Sequence, residues 1–303
     1  MPLTATERAL SARQQGVLLA LGSTAAYGTN IVSAQIAGQA GISGPWLVCY
    51  RVGLMLAATA ALALLLRSSL TIPRGDRVAI TVFGLASATV GLAYLSSVAF
   101  IPVTVAAVLF YTYPVLIVLA EPLLTRSGFR PDRLAVVLVA FIGVALVVGP
   151  DLHGLDPAGL ALALIASVAA TAQFFSAAAM RGTALLPKLL WSHIIILPVA
   201  VTILTVSGSP AGPRILALAP AAAAITIGCY VIGILLQIMA LARIAPGAAG
   251  LAFCAEPVFA ASIAAVVLGE RLGPLQYGGG ALVLAAILTN VILEQKRSLP
   301  ATA

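Results

Sequence analysis

Nine acidic residues occur in this 303-residue chain, and Glu256 is the one whose surroundings point to chemistry. It lies 13 residues after Arg243 and 14 before Glu270, in an otherwise apolar stretch, with Pro257 next to it. On a helix that puts about 20 Å of apolar sequence on each side, at 1.5 Å per residue. A carboxylate at such a depth is costly unless it faces a partner or a wet cavity. Pro257 removes a backbone donor and frees the carbonyl four residues back, near Phe253. A carboxylate beside a helix kink can bind an amine or carry a proton. It can equally be a hydrogen-bonded structural Glu that fixes the kink.

A few other polar side chains interrupt the apolar sequence. Asn30 and Gln173 fall at mid-segment positions, where amides either bond across helices or contact a solute; Tyr27 lies one turn from Asn30. Tyr94 and Gln237 sit near opposite ends of their segments, suited to gating, although terminal tyrosines also form interface belts. Tyr111 and Tyr113 lie deeper, and Tyr230 is one heptad from Gln237. Buried tyrosine hydroxyls need partners. Glu121 is expected to pair at the surface with Arg126, and Glu270 with Arg271 to close an outer turn. Trp46 and Trp191 read as interface anchors, Arg51 as a snorkelling cation near the outer surface, and His193 as a residue near an inner helix end. Ser87 and Gly91 have the spacing of tight helix packing. Three cysteines inside apolar segments and two histidines supply neither a disulfide framework nor a metal constellation. No phosphate-binding loop is present, and no cofactor is expected.

These side chains need a bilayer to position them. The chain is 61% apolar and 8% charged, with a mean hydropathy of +1.12. A soluble domain carries about a quarter charged residues. The net charge of +7 does not mark a nucleic-acid binder, because the basic residues punctuate the apolar segments instead of clustering. Ten spanning helices are expected, over 15–37, 43–66, 78–99, 102–124, 133–149, 157–180, 189–207, 215–241, 246–268 and 274–293. Proline and glycine mark the breaks, as in Ile72-Pro73-Arg74-Gly75-Asp76 and Gly149-Pro150-Asp151. The polar first 14 residues precede a retained first helix rather than a cleaved leader. Alternate connections hold Arg67, Arg74 and Arg77; Arg126, Arg130 and Arg133; Arg181 and Lys188; and Arg243. The positive-inside rule then puts both termini in the cytoplasm, which demands an even number of spans.

The two halves of the sequence match at an offset of 143. Gly16-Val17-Leu18-Leu19-Ala20-Leu21 meets Gly159-Leu160-Ala161-Leu162-Ala163-Leu164, Asn30 meets Gln173, Ser33 meets Ser176, Phe110 meets Phe253, Pro114 meets Pro257, and Pro131 meets Pro274. One register across five helices indicates duplication. Because five is odd, the second half enters from the opposite side. The expected fold is an all-α membrane protein of two inverted five-helix repeats, residues 1–150 and 151–303. Inverted repeats of this kind recur in secondary transporters.

The stretch Ala255-Glu256-Pro257-Val258-Phe259-Ala260-Ala261, running on to Leu268-Gly269-Glu270-Arg271-Leu272, resembles the drug/metabolite transporter superfamily in its ten-helix EamA-type branch. Tyr111-Thr112-Tyr113-Pro114-Val115-Leu116 is the first-half counterpart. The halves depart where Ser127 stands at the position matching Glu270, with an acidic residue earlier, at Glu121. The resemblance implies a central cavity lined by helices 1, 3, 4, 6, 8 and 9. It also implies export of amino acids or related small metabolites across a bacterial inner membrane. On this expectation the solute meets Glu256, Asn30, Gln173, Tyr27, Tyr94, Tyr111, Tyr113, Tyr230 and Gln237, and the partners are a small molecule and the lipid bilayer, without nucleic acid. A channel, or a transporter of sugars, nucleosides or drugs, is the alternative. A membrane enzyme would need clustered ligands or a nucleophile with its base, and the sequence offers neither.

Overall fold

In hydrocarbon every backbone donor and acceptor must be satisfied within the protein, and a helix does this within one segment. The structure, a computed structural model, describes residues 5–126, 128–153, 155–180, 182–208 and 213–298. It contains twelve α-helices: α1 (Ala5–Gln39), α2 (Gly44–Leu65), α3 (Arg77–Ser97), α4 (Val103–Phe110), α5 (Tyr113–Thr125), α6 (Pro131–Val148), α7 (Pro157–Ala179), α8 (Leu185–Val206), α9 (Pro220–Leu241), α10 (Pro246–Phe253), α11 (Glu256–Val267) and α12 (Pro274–Ser298). They form ten spans long and apolar enough to cross a membrane. α4 with α5 makes the fourth span and α10 with α11 the ninth.

Local signals set the ends. Proline opens α6, α7, α9, α10 and α12, where its missing N–H would have no helical partner in any case. Gly149, at φ 60°, ends α6, and its N–H donates to the Ala145 carbonyl at 2.9 Å. The expected first helix, 15–37, is extended at its start, and 274–293 runs on to Ser298. The expected 215–241 helix divides at Pro220 into a 3-10 turn, Pro213–Leu218, and α9.

The two spans expected as continuous helices, 102–124 and 246–268, are each broken in two. Pro114 and Pro257 lie in the first turn after each break. Before them the chain tightens to i−3 bonds: Thr112 N donates to Leu109 O at 3.2 Å, and Ala255 N to Ala252 O at 3.1 Å. A proline that only kinked the helix would have kept the i−4 ladder on either side. Tyr111 and Cys254 hold equivalent positions in the two breaks, 143 residues apart, as do Tyr113 and Glu256.

Helices α1–α6 recur in order as α7–α12, five spans each and therefore oppositely directed. α1 packs along α9 and its repeat mate α7 along α3, while α6 packs on α12 and α2 on α8. α6 and α12 cross at glycine, since a Cβ on Gly143 would stand 2.7 Å from the Gly279 carbonyl oxygen. Leu64, Leu65, Leu123 and Val266 lie at least four-fifths exposed on the outside, where lipid tails replace water as their surroundings.

With an even number of spans the start of α1 and the end of α12 lie at one end of the bundle, the basic end, with Arg67, Arg74, Arg77, Arg130 and Arg243. The inverted symmetry fails in one respect. α5 packs along α10 toward the basic end, but their mates α11 and α4, at the far end, barely touch. All eight residues of α10 are buried, whereas in α11 only Pro257 and Ala264 are.

Candidate functional site

The two helix breaks meet at mid-bundle, and Glu256 sits there as the first residue of α11. Residues 246–255 and Pro257 are buried around it, while Glu256 itself is part-exposed. Tyr27, Tyr94, Tyr111 and Tyr113 all lie within electrostatic reach of the carboxylate, with Tyr111 close enough to approach it as a hydrogen-bond donor. An aromatic train links the breaks. Tyr113 lies 5.3 Å from Phe174, Phe174 lies 5.1 Å edge-on from Phe253, and Phe253 lies 6.3 Å from Tyr27. Tyr94 packs edge-on against Phe110 at 5.4 Å and faces inward, not onto the membrane interface. The site therefore offers one carboxylate in a low-dielectric setting, ringed by phenols that can donate to it or to a solute.

A polar chain closes the basic-end side of this site. The Tyr27 hydroxyl donates to Gln237 Oε1 at 2.9 Å, Gln237 Nε2 donates to Gln173 Oε1 at 3.4 Å, and Gln173 Nε2 donates to Ser87 Oγ at 2.8 Å. The chain joins α1, α9, α7 and α3. The repeat mates of Gln173, Gln237 and Ser87 are Asn30, Tyr94 and Tyr230, and these do not join one another. Asn30 donates to the Thr226 carbonyl at 2.6 Å, so it binds α1 to α9 between helices. A polar bridge thus spans the basic-end side and has no counterpart on the far side.

The guanidinium of Arg51 lies 4.2 Å over the ring of Tyr230, a partner on the other half of the chain that the sequence reading did not name. Tyr230 in turn bonds His193 Nε2 at 2.9 Å, and His193 Nδ1 lies 2.8 Å from the Leu189 carbonyl. The carbonyl can only accept, so Nδ1 carries a proton, while Nε2 shares its hydrogen bond with the Tyr230 hydroxyl, which can act as donor or acceptor. His193 is fully buried. Tyr27 lies within electrostatic reach of both Arg51 and Glu256.

Glu121 corrects the sequence reading. Its partner is Arg133, at 2.5 Å, and the pair is buried. Arg126 lies past the end of α5 in the left-handed region, at φ 53°, away from that face. Arg133 reaches on to Glu294 of α12 at 2.6 Å, and Glu294 is also paired with Arg13 and Arg130. The network ties α1, α5, α6 and α12 at the basic end. Gly247 lies directly over it, since a Cβ there would come within 2.5 Å of Glu121 Oε2. At the far end Glu270 does not close the turn by a side-chain bond; Gly269 makes it, at φ 70°. Trp46 stacks on Tyr50, and Trp191 is exposed with its indole donating to the Leu70 carbonyl at 2.8 Å.

Of the expected site residues, Glu256, Tyr27, Tyr94, Tyr111 and Tyr113 come together at the breaks. Gln173 and Gln237 border them, Tyr230 lies beside Arg51, and Asn30 turns to the α9 backbone. An apolar groove of about 510 Å³ between α3 and α7 contains none of these residues. Among the described residues no three His, Cys, Asp or Glu side chains gather as a metal site.

A profile of the EamA-like transporter family matches residues 14–149 and again residues 157–292, once for each five-span half. No curated protein matches the chain. A crystal structure of a protein 20% identical in sequence superposes with a TM-score of 0.74, over 94% of this chain and 99% of the other, which shows a shared fold.

Proposed function

The chain belongs to the EamA-like transporter family, a family of membrane transporters of small solutes, and on that basis we propose that it is a secondary transporter exporting amino acids or related small metabolites by alternating access. The observation that carries this is Glu256, a part-exposed residue set at a break in the ninth span with Tyr27, Tyr94, Tyr111 and Tyr113 within electrostatic reach of its carboxylate. A carboxylate there recognises a solute ammonium, and the phenols and Gln237 supply hydrogen bonds. The uneven closure supports an exchanging pair of halves, 1–150 and 151–303. α5 and α10 meet at the basic end, while α4 and α11 stand apart. In this reading the site opens at the far end, and rocking the halves would reverse which end is closed. The arginine distribution supports a multi-pass protein of the bacterial inner membrane with both termini in the cytoplasm. A channel reading has less support, since the polar bridge from Tyr27 to Ser87 blocks one end.

The test is Glu256→Gln in proteoliposomes. The change keeps size and most hydrogen bonding but removes the charge. Counterflow of amino acids should fall at least tenfold, the scale of one lost charge-assisted bond of about 1.5–3 kcal/mol, while yield and monodispersity persist. Wild-type kinetics in the variant would remove Glu256 from the solute site.

A further inference from the structure

A second charge lies within electrostatic reach of Tyr27, and among the described residues nothing neutralises it. Arg51 belongs to α2 and lies in a segment apolar enough to span the membrane. Among the described residues it has no ion-pair partner, and its Nε is buried without a hydrogen bond. The Tyr230 ring meets one face of the guanidinium and satisfies none of its five N–H donors. An unpaired cation in a spanning segment is costly and persists where it serves a ligand or a pathway. The support beneath it is specific. The Leu189 carbonyl holds a proton on His193 Nδ1, His193 Nε2 hydrogen-bonds the Tyr230 hydroxyl, and the ring so held sets the plane on which the guanidinium rests. A merely anchoring arginine would point its donors at a carbonyl or a carboxylate.

We infer that Arg51, held on Tyr230 and His193, is a subsite for a carboxylate of the transported solute, opposite the ammonium subsite at Glu256. This rests on the transport reading given above and narrows it to solutes that carry both charges. Glu256 and Arg51 do not pair with each other, and Tyr27 interacts with both. Each charge is therefore free to be matched by the opposite end of one zwitterion. A carboxylate suits the site better than a phosphate. One guanidinium offers a two-pronged match to a monoanion, and the neighbouring His193 has both ring nitrogens engaged and offers no second donor.

The experiment uses purified full-length protein in proteoliposomes. Counterflow of the twenty common L-amino acids identifies the one carried fastest. Its carboxamide, which lacks the anionic end, and its deaminated acid, which lacks the cationic end, then compete against it in wild type, Arg51→Gln, Arg51→Lys and Glu256→Gln. Wild type should favour the amino acid over the carboxamide by about 10- to 100-fold, the range for one charge-assisted hydrogen-bonded pair. Arg51→Gln should lose that preference yet keep its preference over the deaminated acid, and Glu256→Gln should show the reverse. Arg51→Lys keeps the charge and should retain part of the carboxylate preference, so a folding defect of the glutamine variant leaves the inference testable. Undiminished carboxylate preference in Arg51→Gln overturns the inference and leaves the transport reading standing. So does a wild type indifferent to the carboxamide. A wild type that moves none of the amino acids removes the amino-acid reading, and this inference with it.

Discussion

Glu294→Gln should release the basic end. Glu294 is on α12, in the second half of the chain, and its carboxylate holds Arg13, Arg130 and Arg133 from the first half. Its side chain is 12% exposed, against 6% for Arg133, 23% for Arg130 and 28% for Arg13. Breaking a fully buried pair costs about 3–5 kcal/mol. Two of these three arginines are part-solvated, which lowers the cost to about 2–3 kcal/mol. If the network exists only while the basic end is closed, that cost falls on the closed state alone. The equilibrium then shifts by about 30- to 150-fold toward opening at that end, at 1.4 kcal/mol per tenfold. Ile234 of α9 is 4% exposed and is the repeat mate of Gly91, whose side-chain direction meets nothing within 4 Å. In a background lacking Cys49, Cys229 and Cys254, an impermeant maleimide applied to inside-out vesicles reports how often Ile234→Cys becomes reachable. While the closed state dominates, that rate follows the open population and should rise about 30- to 150-fold with Glu294→Gln. Gly91→Cys should stay reachable from the far side as a control. Labelling at Ile234→Cys within threefold of the parent, together with a lower melting point, would show the network to be a static brace.

Three further outcomes are expected. Gly247→Val should push Glu121 and Arg133 off α10, because even a Cβ comes within 2.5 Å of Glu121 Oε2 and 3.0 Å of Arg133 Nη1; Ile234→Cys labelling should rise, and unchanged labelling would mean that α5 and α10 do not close on this residue. Asn30→Ala removes a bond to the Thr226 carbonyl and should cost about 0.6–1.7 kcal/mol of thermal stability without altering solute preference; a changed preference in counterflow competition would place Asn30 in the solute site. A single cysteine at Gly75, in the connection with Arg67, Arg74 and Arg77, should resist impermeant reagent in intact cells and react after lysis, and labelling without lysis would invert the topology.

The spans and the duplication were legible because hydropathy, proline and glycine act locally, and because a single offset aligned Pro114 with Pro257 and Asn30 with Gln173. The breaks were half legible. A proline announces a lost bond, but hydropathy runs straight through Thr112 and Ala255, so nothing in the sequence separated a kink from two helices. Glu121 was misassigned because the nearest cation in sequence is Arg126, five residues on and off the i,i+4 face. The true partner, Arg133, lies in the first turn of the next helix. The contact of Arg51 with Tyr230 was not legible because Tyr230 lies on a helix of the other half. The free signal was a cation inside a span without an acidic residue nearby, which calls for a partner elsewhere.

The duplication also explains why charge, and not packing alone, sets the resting shape. Two identical inverted halves would close either end equally well, and neither state would be favoured. The seam that meets at the basic end, α5 on α10, has an equivalent at the far end, α11 on α4. The charged residues do not repeat. At the far end Ala264 stands for Glu121, Gln276 for Arg133, Gly273 for Arg130, Asp156 for Arg13 and Asp151 for Glu294. Gln276 makes neutral bonds there, accepting from Gly273 N at 2.8 Å and donating to the Val147 carbonyl at 3.1 Å. Two carboxylates without arginines cannot form the pairs that hold the other end. Buried pairs worth a few kcal/mol at one end and neutral contacts at the other are enough to bias a near-symmetric machine toward closure at the basic end. A solute that binds both Arg51 and Glu256 neutralises interior charge and so lowers the cost of closing the far end over the site. In alternating access the loaded site could then close and cross, while the empty one, with its two charges unmatched, would stay open to water at the far end.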